Sequence, residues 1–193
     1  VLYTNPRGPT GYGQAFADGM HPFSLANLKA VRALADQRGV RLVLDGSRLI
    51  ENAWYIQRHE PGMSDRPVAD LVKQLVKLVH VLMVDGAQDP KCPAGGILTT
   101  DHPGDHQKFV NEVVVYEGLH TYGGMSGRTM EVFARGIEEM CDENEVQWAM
   151  RESEQFTARL REAGIPLERG CDGAYIEADK FLPHVSVFPA HAL

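Results

Sequence analysis

Val40-Arg41-Leu42-Val43-Leu44-Asp45-Gly46-Ser47-Arg48 is the stretch that decides the fold. Its apolar run is short and nearly unbroken, the pattern of a central parallel strand covered on both faces. It closes on an acid, and an arginine follows three residues later. In open α/β sheets ligands collect outside the carboxyl ends of the strands. A carboxylate at that edge, with a cation close behind it, suits a bound heterocycle. Helical patterns stand on either side. Upstream, Ser24 reads as an N-cap, because its hydroxyl can accept from the first free amides of a helix. Leu25, Leu28, Val31, Leu34 and Ala35 follow at helical spacing, and Gly39 ends the run. Downstream, a second helix is expected over Ile50 to Arg58.

The alternation continues. Pro67 fits the first turn of a helix carrying Val68, Leu71, Val72, Leu75, Val76 and Val79. Val81 to Val84 and Gly96 to Thr100 read as strands. His106 to Val115 fits helix and strand equally. One long helical stretch is expected from about Arg128 to Ala163, with Ser126-Gly127-Arg128 at its start and Val132, Phe133, Ile137 and Met140 as an apolar stripe. Gly164 and Pro166 break it, and Ala174 to Glu177 reads as a strand. Strands alternating with helices predict an α/β fold with a central, mostly parallel sheet flanked by helices. Residues 6 to 23, rich in Gly and Pro, read as a long loop.

The bulk composition narrows the classes of partner. The chain has 193 residues, 44% apolar and 23% charged, an ordinary globular balance. A net charge of −7 argues against nucleic acid or an anionic membrane as the main partner, since both call for a cationic surface. No apolar run approaches the roughly 18–20 residues that span a bilayer. Cys92, Cys141 and Cys171 are odd in number and widely spaced, so reduced thiols in a cytoplasmic protein are expected. The first residue is Val1, and the chain reads as a segment of something longer or as a split subunit.

Several runs together resemble the tryptophanase and tyrosine phenol-lyase family, the β-eliminating lyases that use pyridoxal phosphate. They are Pro22 to Val31, Asp45 to Ala53, Val113 to Gly118, Tyr122 to Glu131 and Leu160 to Pro166, in the family's order and at nearly its spacing. A further branch with the same resemblance is the cysteine- or thiocysteine-lyase-like domains of polyketide assembly lines. The resemblance implies the aspartate-aminotransferase-like fold (fold type I, PLP-dependent transferase-like), of which this chain is the middle part. Residues 1–144 would belong to the large cofactor-binding domain, and residues 145–193 would begin the smaller C-terminal one. It also implies a homodimer or higher oligomer with shared active sites, and a small amino-acid or cysteine-adduct substrate.

Roles carry over by position. Asp45 matches the aspartate facing the pyridine nitrogen of the cofactor, where a carboxylate keeps the ring protonated and able to accept electrons. Taken alone, it is more often a turn or helix cap at a strand end. Arg48 matches the arginine near the ring's phenolic oxygen; its ordinary alternative is an ion pair with Glu51 or Asp45. Asn5 matches an asparagine approaching the same oxygen, although the loop from Pro6 to Phe23 is longer than the family's connection. Leu119 and Tyr122 fall on the substrate side.

The departure is at the cofactor lysine. Counting back from Gly95-Gly96, the family's Ser-x-Lys-Lys-Asp motif reads Asp85-Gly86-Ala87-Gln88-Asp89. An amide cannot form a Schiff base. Lys91, flanked by Pro90 and Pro93, is the candidate substitute, with a solvated loop lysine as its alternative. Loss of that lysine also fits a non-catalytic scaffold or partner subunit. Asp101 to His106 holds metal-ligand residue types but reads as a polar turn, and Cys92 as an inert loop cysteine.

Overall fold

The computed structural model describes residues 2–4, 23–169 and 173–191. By contacts the chain forms two compact units, Val1–Val146 and Gln147–Leu193.

In the first unit, α1 (Leu25–Gln37) leads into β2 (Leu42–Asp45), α2 (Leu49–His59), α3 (Val68–Val76), β3 (Val81–Asp85) and β4 (Gly96–Thr100). The short β1 (Leu2–Thr4) lies beside β2. Ser24 caps α1 as its position demands, with Oγ accepting from the Asn27 amide at 3.0 Å. Leu25, Leu28 and Ala35 bury its inner face. Gly39 takes φ +61°, the left-handed turn that lets the chain double back into β2. Pro67 stands one residue outside α3 rather than within its first turn, and its carbonyl accepts from Asp70 and Leu71.

Among the described residues the sheet runs β1-β2-β3-β4. β2 is parallel to β1 and to β3, with Leu44 opposite Leu82 and Asp45 opposite Met83. β4 is antiparallel to β3. The ten-residue link from Gly86 to Gly95 has no crossover helix, so the chain returns alongside β3 in the opposite sense. In β2, Leu42 and Leu44 are almost fully buried while Val43 and Asp45 are half-buried, so one face is sealed and the other only partly covered. The core joins these leucines to Leu49, Ala53 and Ile56 of α2 and Val68, Leu71 and Leu75 of α3.

The ambiguous segment is the helix α4 (Pro103–Tyr116), which has no buried residue. The stretch expected as one long helix is two, α5 (Gly127–Glu139) and α6 (Glu143–Glu162). The break is chemical. The Asp142 carboxylate accepts from the Asn144 amide at 2.8 Å and from the Glu145 amide at 3.4 Å, starting a new helix. In the second unit an unforeseen strand, β5 (Leu167–Arg169), pairs antiparallel with β6 (Ala174–Ile176), and a short α7 (Ala178–Phe181) follows.

Three helices of the first unit take N-terminal caps from carboxylates distant in sequence. Glu60 accepts from the Leu25 amide at 2.9 Å, Asp89 from Ile50 at 2.8 Å and Glu143 from Val68 at 2.8 Å. Each satisfies a donor that the helix itself cannot.

Candidate functional site

The carboxyl ends of β2 and β3 lie side by side, and a chain of hydrogen bonds joins them. Asp45 ends β2, and its Oδ1 accepts from the Ser47 amide at 3.1 Å and the Ser47 hydroxyl at 2.6 Å. Ser47 Oγ in turn accepts from the Asp85 amide at the end of β3, at 3.3 Å. Gly46 donates to the Met83 carbonyl at 2.7 Å. A Cβ on Gly46 would come within 2.5 Å of Leu82 Cδ1, so the leucine side chain would have to turn aside to admit a larger residue. The turn-cap reading of Asp45 is therefore realised.

Arg48 occupies the N-cap of α2, and its Nη1 donates to Glu51 Oε1 at 2.7 Å. The ion pair with Glu51 is thus the observed arrangement, with both side chains half-buried. Asp89 lies beneath, 8% exposed, and its Oδ2 holds the Ile50 amide. Burial pushes its carboxyl up to about 7, opposed by the Ile50 amide; Glu51 pushes it further up and Arg48 pulls it down.

The loop after β3 is closely tied. Ala87 donates to Asp85 Oδ1 at 2.9 Å, Lys91 to the Gln88 carbonyl at 3.0 Å and Cys92 to the Gly86 carbonyl at 2.8 Å. α5 packs across it. A Cβ on Gly136 would run into the Pro90 carbonyl, and one on Gly86 would come within 2.9 Å of Phe133 Cε2. Cys92, buried, lies with Sγ 3.7 Å from the Thr129 carbonyl. Thr129, Phe133 and Gly136 are spaced along one helix face, which presses the loop against the sheet end. Met125 Sδ sits against Gly95, bringing the start of this helix and the turn before it up to the same loop.

Gln88 is half-buried, while Ala87 and Lys91 are exposed. Lys91 takes φ +53°, a left-handed conformation that costs a side-chain-bearing residue about 1 kcal/mol. Leu119 and Tyr122 stand on the turn between α4 and α5, 56% and 39% exposed, with the Tyr122 amide donating to the Leu119 carbonyl at 3.1 Å. Asn5, and nearly all of the loop from Pro6 to Phe23, lie outside the described residues. Asp101 and Asp105 serve Arg41 as ion-pair partners at the start of α4.

A sequence profile described as "Beta-eliminating lyase" matches residues 15–182. The chain belongs to the β-eliminating lyase family. Among its relatives in that family, tyrosine phenol-lyase from Symbiobacterium sp. (strain SC-1) is 36% identical over 179 residues, covering 91% of this chain and 39% of that protein. Tryptophanase from Salinibacter ruber is 34% identical over 179 residues, covering 91% and 38%. The chain thus spans about two fifths of the length of these relatives. A solved structure from Exiguobacterium sp. 255-15, titled a putative aromatic amino acid β-eliminating lyase/threonine aldolase, superposes with a TM-score of 0.50 at 20% identity, over 70% of this chain and 34% of that one. That likeness supports the α/β fold of the pyridoxal-phosphate lyases, of which this chain is a part.

The family's cofactor asks three things of these residues. It needs an acid for the ring nitrogen, a cation near the phenolic oxygen and an amine for a Schiff base. Asp45, half-buried at the end of an inner parallel strand, has the chemistry for the first. Arg48 supplies a cation at the same edge, already bonded to Glu51. The third is unmet at the motif position, because Gln88 carries an amide. The donor set suits the ring and lacks its covalent anchor.

Sequence reasoning gave no role to two residues at this edge of the sheet. Ser47 had a local signal, since Asp-x-Ser is the pattern of a side chain turning back on its own backbone. Asp89 had none, because the helix it caps begins forty residues earlier in the chain.

Proposed function

We propose that the chain is the cofactor-facing middle of a pyridoxal-phosphate-type lyase acting by β-elimination on a small amino acid or a cysteine adduct. In that reaction the α-proton leaves, a C–S or C–C bond at the β-carbon breaks with its electron pair on the departing group, and water then yields a keto acid and ammonia. The observation that carries the reading is Asp45, half-buried where parallel β2 ends and held there by Ser47. The bound cofactor would supply an electron sink for the α-carbon. Asp45 would hold a proton on the ring nitrogen, and Arg48 would bring fixed positive charge to the phenolic side. Asn5 would approach the same oxygen, and Leu119 and Tyr122 would border the substrate. Lys91 is the candidate for the covalent anchor. The stretch from Pro6 to Phe23, longer in sequence than the family's connection, would suit a bulky cysteine adduct, as in a cysteine- or thiocysteine-lyase domain of a polyketide assembly line, within a homodimer or higher oligomer.

Gln88 at the motif position, together with the exposure of Lys91, favours a second reading. In it the chain keeps the family fold as a non-catalytic scaffold or partner subunit. One experiment divides the two. The protein is mixed with pyridoxal phosphate, reduced with borohydride and mapped by mass spectrometry. A phosphopyridoxyl group on Lys91, absent from Lys91→Ala, supports the lyase. Ring binding with no lysine labelled supports the scaffold, and no binding at all removes the cofactor reading.

A further inference from the structure

We propose that Ser47 is the positioning residue for Asp45, fixing the plane in which that carboxylate meets a protonated ring nitrogen. The inference rests on the cofactor reading of Asp45 given above.

Both donors of Ser47 fall on one oxygen. The hydroxyl reaches Asp45 Oδ1 at 2.6 Å and the amide reaches it at 3.1 Å. Two bonds from one turn converge on that oxygen and define a direction for it. The hydroxyl is itself oriented. Its oxygen accepts from the Asp85 amide at 3.3 Å, so its proton is directed towards Asp45. Asp85 is paired with Gly96 of β4, and Gly46 is anchored on the Met83 carbonyl, so the support for Ser47 comes from the sheet. Through Ser47, Asp45 Oδ1 is tied to the sheet by two hydrogen bonds in series, with the Ser47 amide bond beside them.

A turn cap does not require this arrangement, because the Ser47 amide alone would close the turn. The added hydroxyl fixes orientation. A carboxylate opposite a pyridinium depends on orientation, because a charge-assisted hydrogen bond weakens steeply as its angle departs from linear. The other charged or titratable groups at this edge are Asp85 at the end of β3, Arg48 and Glu51 paired on α2, and Asp89 beneath them on the Ile50 amide. None of them takes part in the contacts between Ser47 and Asp45.

The test uses pyridoxamine 5′-phosphate, which binds without a lysine and so separates this question from the missing anchor. The pH at which the bound ring loses its proton is read from its absorbance in the unaltered protein and in Ser47→Ala, Ser47→Cys, Ser47→Thr and Asp45→Asn. Losing one such hydrogen bond should lower the ring's protonation constant by about tenfold, or one pH unit. The expected result is that loss in Ser47→Ala and Ser47→Cys, retention in Ser47→Thr, and a larger loss in Asp45→Asn. If Asp45→Asn shifts the ring and Ser47→Ala and Ser47→Cys do not, the positioning role is overturned while the cofactor reading stands. If Asp45→Asn matches the unaltered protein, or the unaltered protein does not bind the probe, the cofactor reading falls and this inference falls with it. Ser47→Cys keeps the size of the side chain, so the comparison survives if Ser47→Ala fails to fold.

Discussion

The end of β2 and the loop after β3 are neighbours with opposite chemistry. Asp45 to Arg48 holds an acid, a hydroxyl bonded to it and an arginine. Asp85 to Cys92 holds residues that build the loop, and on the proposed reading it lacks the amine. Asp89 still caps α2, and Gly86 still lets Phe133 come close. Gln88 stands where an amine is needed. A motif is therefore two things laid on the same residues, a scaffold and a reagent, and the scaffold can persist after the reagent is lost.

The largest expected effect comes from restoring that reagent. Gln88→Lys, mixed with pyridoxal phosphate and reduced with borohydride, should yield a stable adduct at position 88 in peptide mapping, where the unaltered protein gives none. If the variant folds and stays unlabelled, the loop no longer presents position 88 to the site, and the two regions do not share a ligand.

The second effect concerns the scaffold and depends on pH. Asp89 is raised from 3.8 to about 7. A carboxyl raised by folding contributes stability that is fully present below pH 3.8 and lost as pH climbs through about 7. At 1.36 kcal/mol per unit the change amounts to roughly 4 kcal/mol. Asp89→Asn keeps an oxygen for the Ile50 amide and cannot ionise. Denaturant midpoints should therefore favour the variant increasingly from pH 4.5 to pH 7.5. A difference independent of pH would show that Asp89 stays charged in the fold and acts as a plain cap.

A smaller effect tests the packing of α5 on the loop. Gly136→Ala places a methyl against the Pro90 carbonyl, which is backbone and cannot rotate away. Overpacking of this kind costs about 1–3 kcal/mol, measurable as a lower melting temperature. A neutral result would mean that the helix can lift off the loop at little cost, and the contrast between a fixed loop and an altered reagent would lose its footing.

Much of the architecture was legible because it is local. Ser24 and Gly39 mark the ends of α1 through their own conformations, and the apolar runs at Leu42–Leu44 and Val81–Val84 could be read as inner strands. The break at Asp142 was legible too and was missed, because the apolar spacing on either side stays helical across it. Asp142 with Glu145 three residues on is the pattern of a helix start. α4 stayed ambiguous because it buries no residue, so its sequence carries no face to read. β5, three residues long, is too short to show a period. At the candidate site, Asp45 and Arg48 were picked out by resemblance and the Arg48–Glu51 pair was foreseen as an alternative, whereas the Asp89 cap depends on folding. Nothing near Ile50 in sequence announces an acid that arrives from the far side of another strand.

That last tie has a consequence for motion. Because the Ile50 proton is held by Asp89 and not by its own helix, it exchanges with solvent when the loop from Asp85 to Cys92 moves away, even while α2 stays intact. The deuterium uptake of one amide thus reports how often the segment carrying Gln88 opens, and a ligand that settles on the loop should slow that single clock.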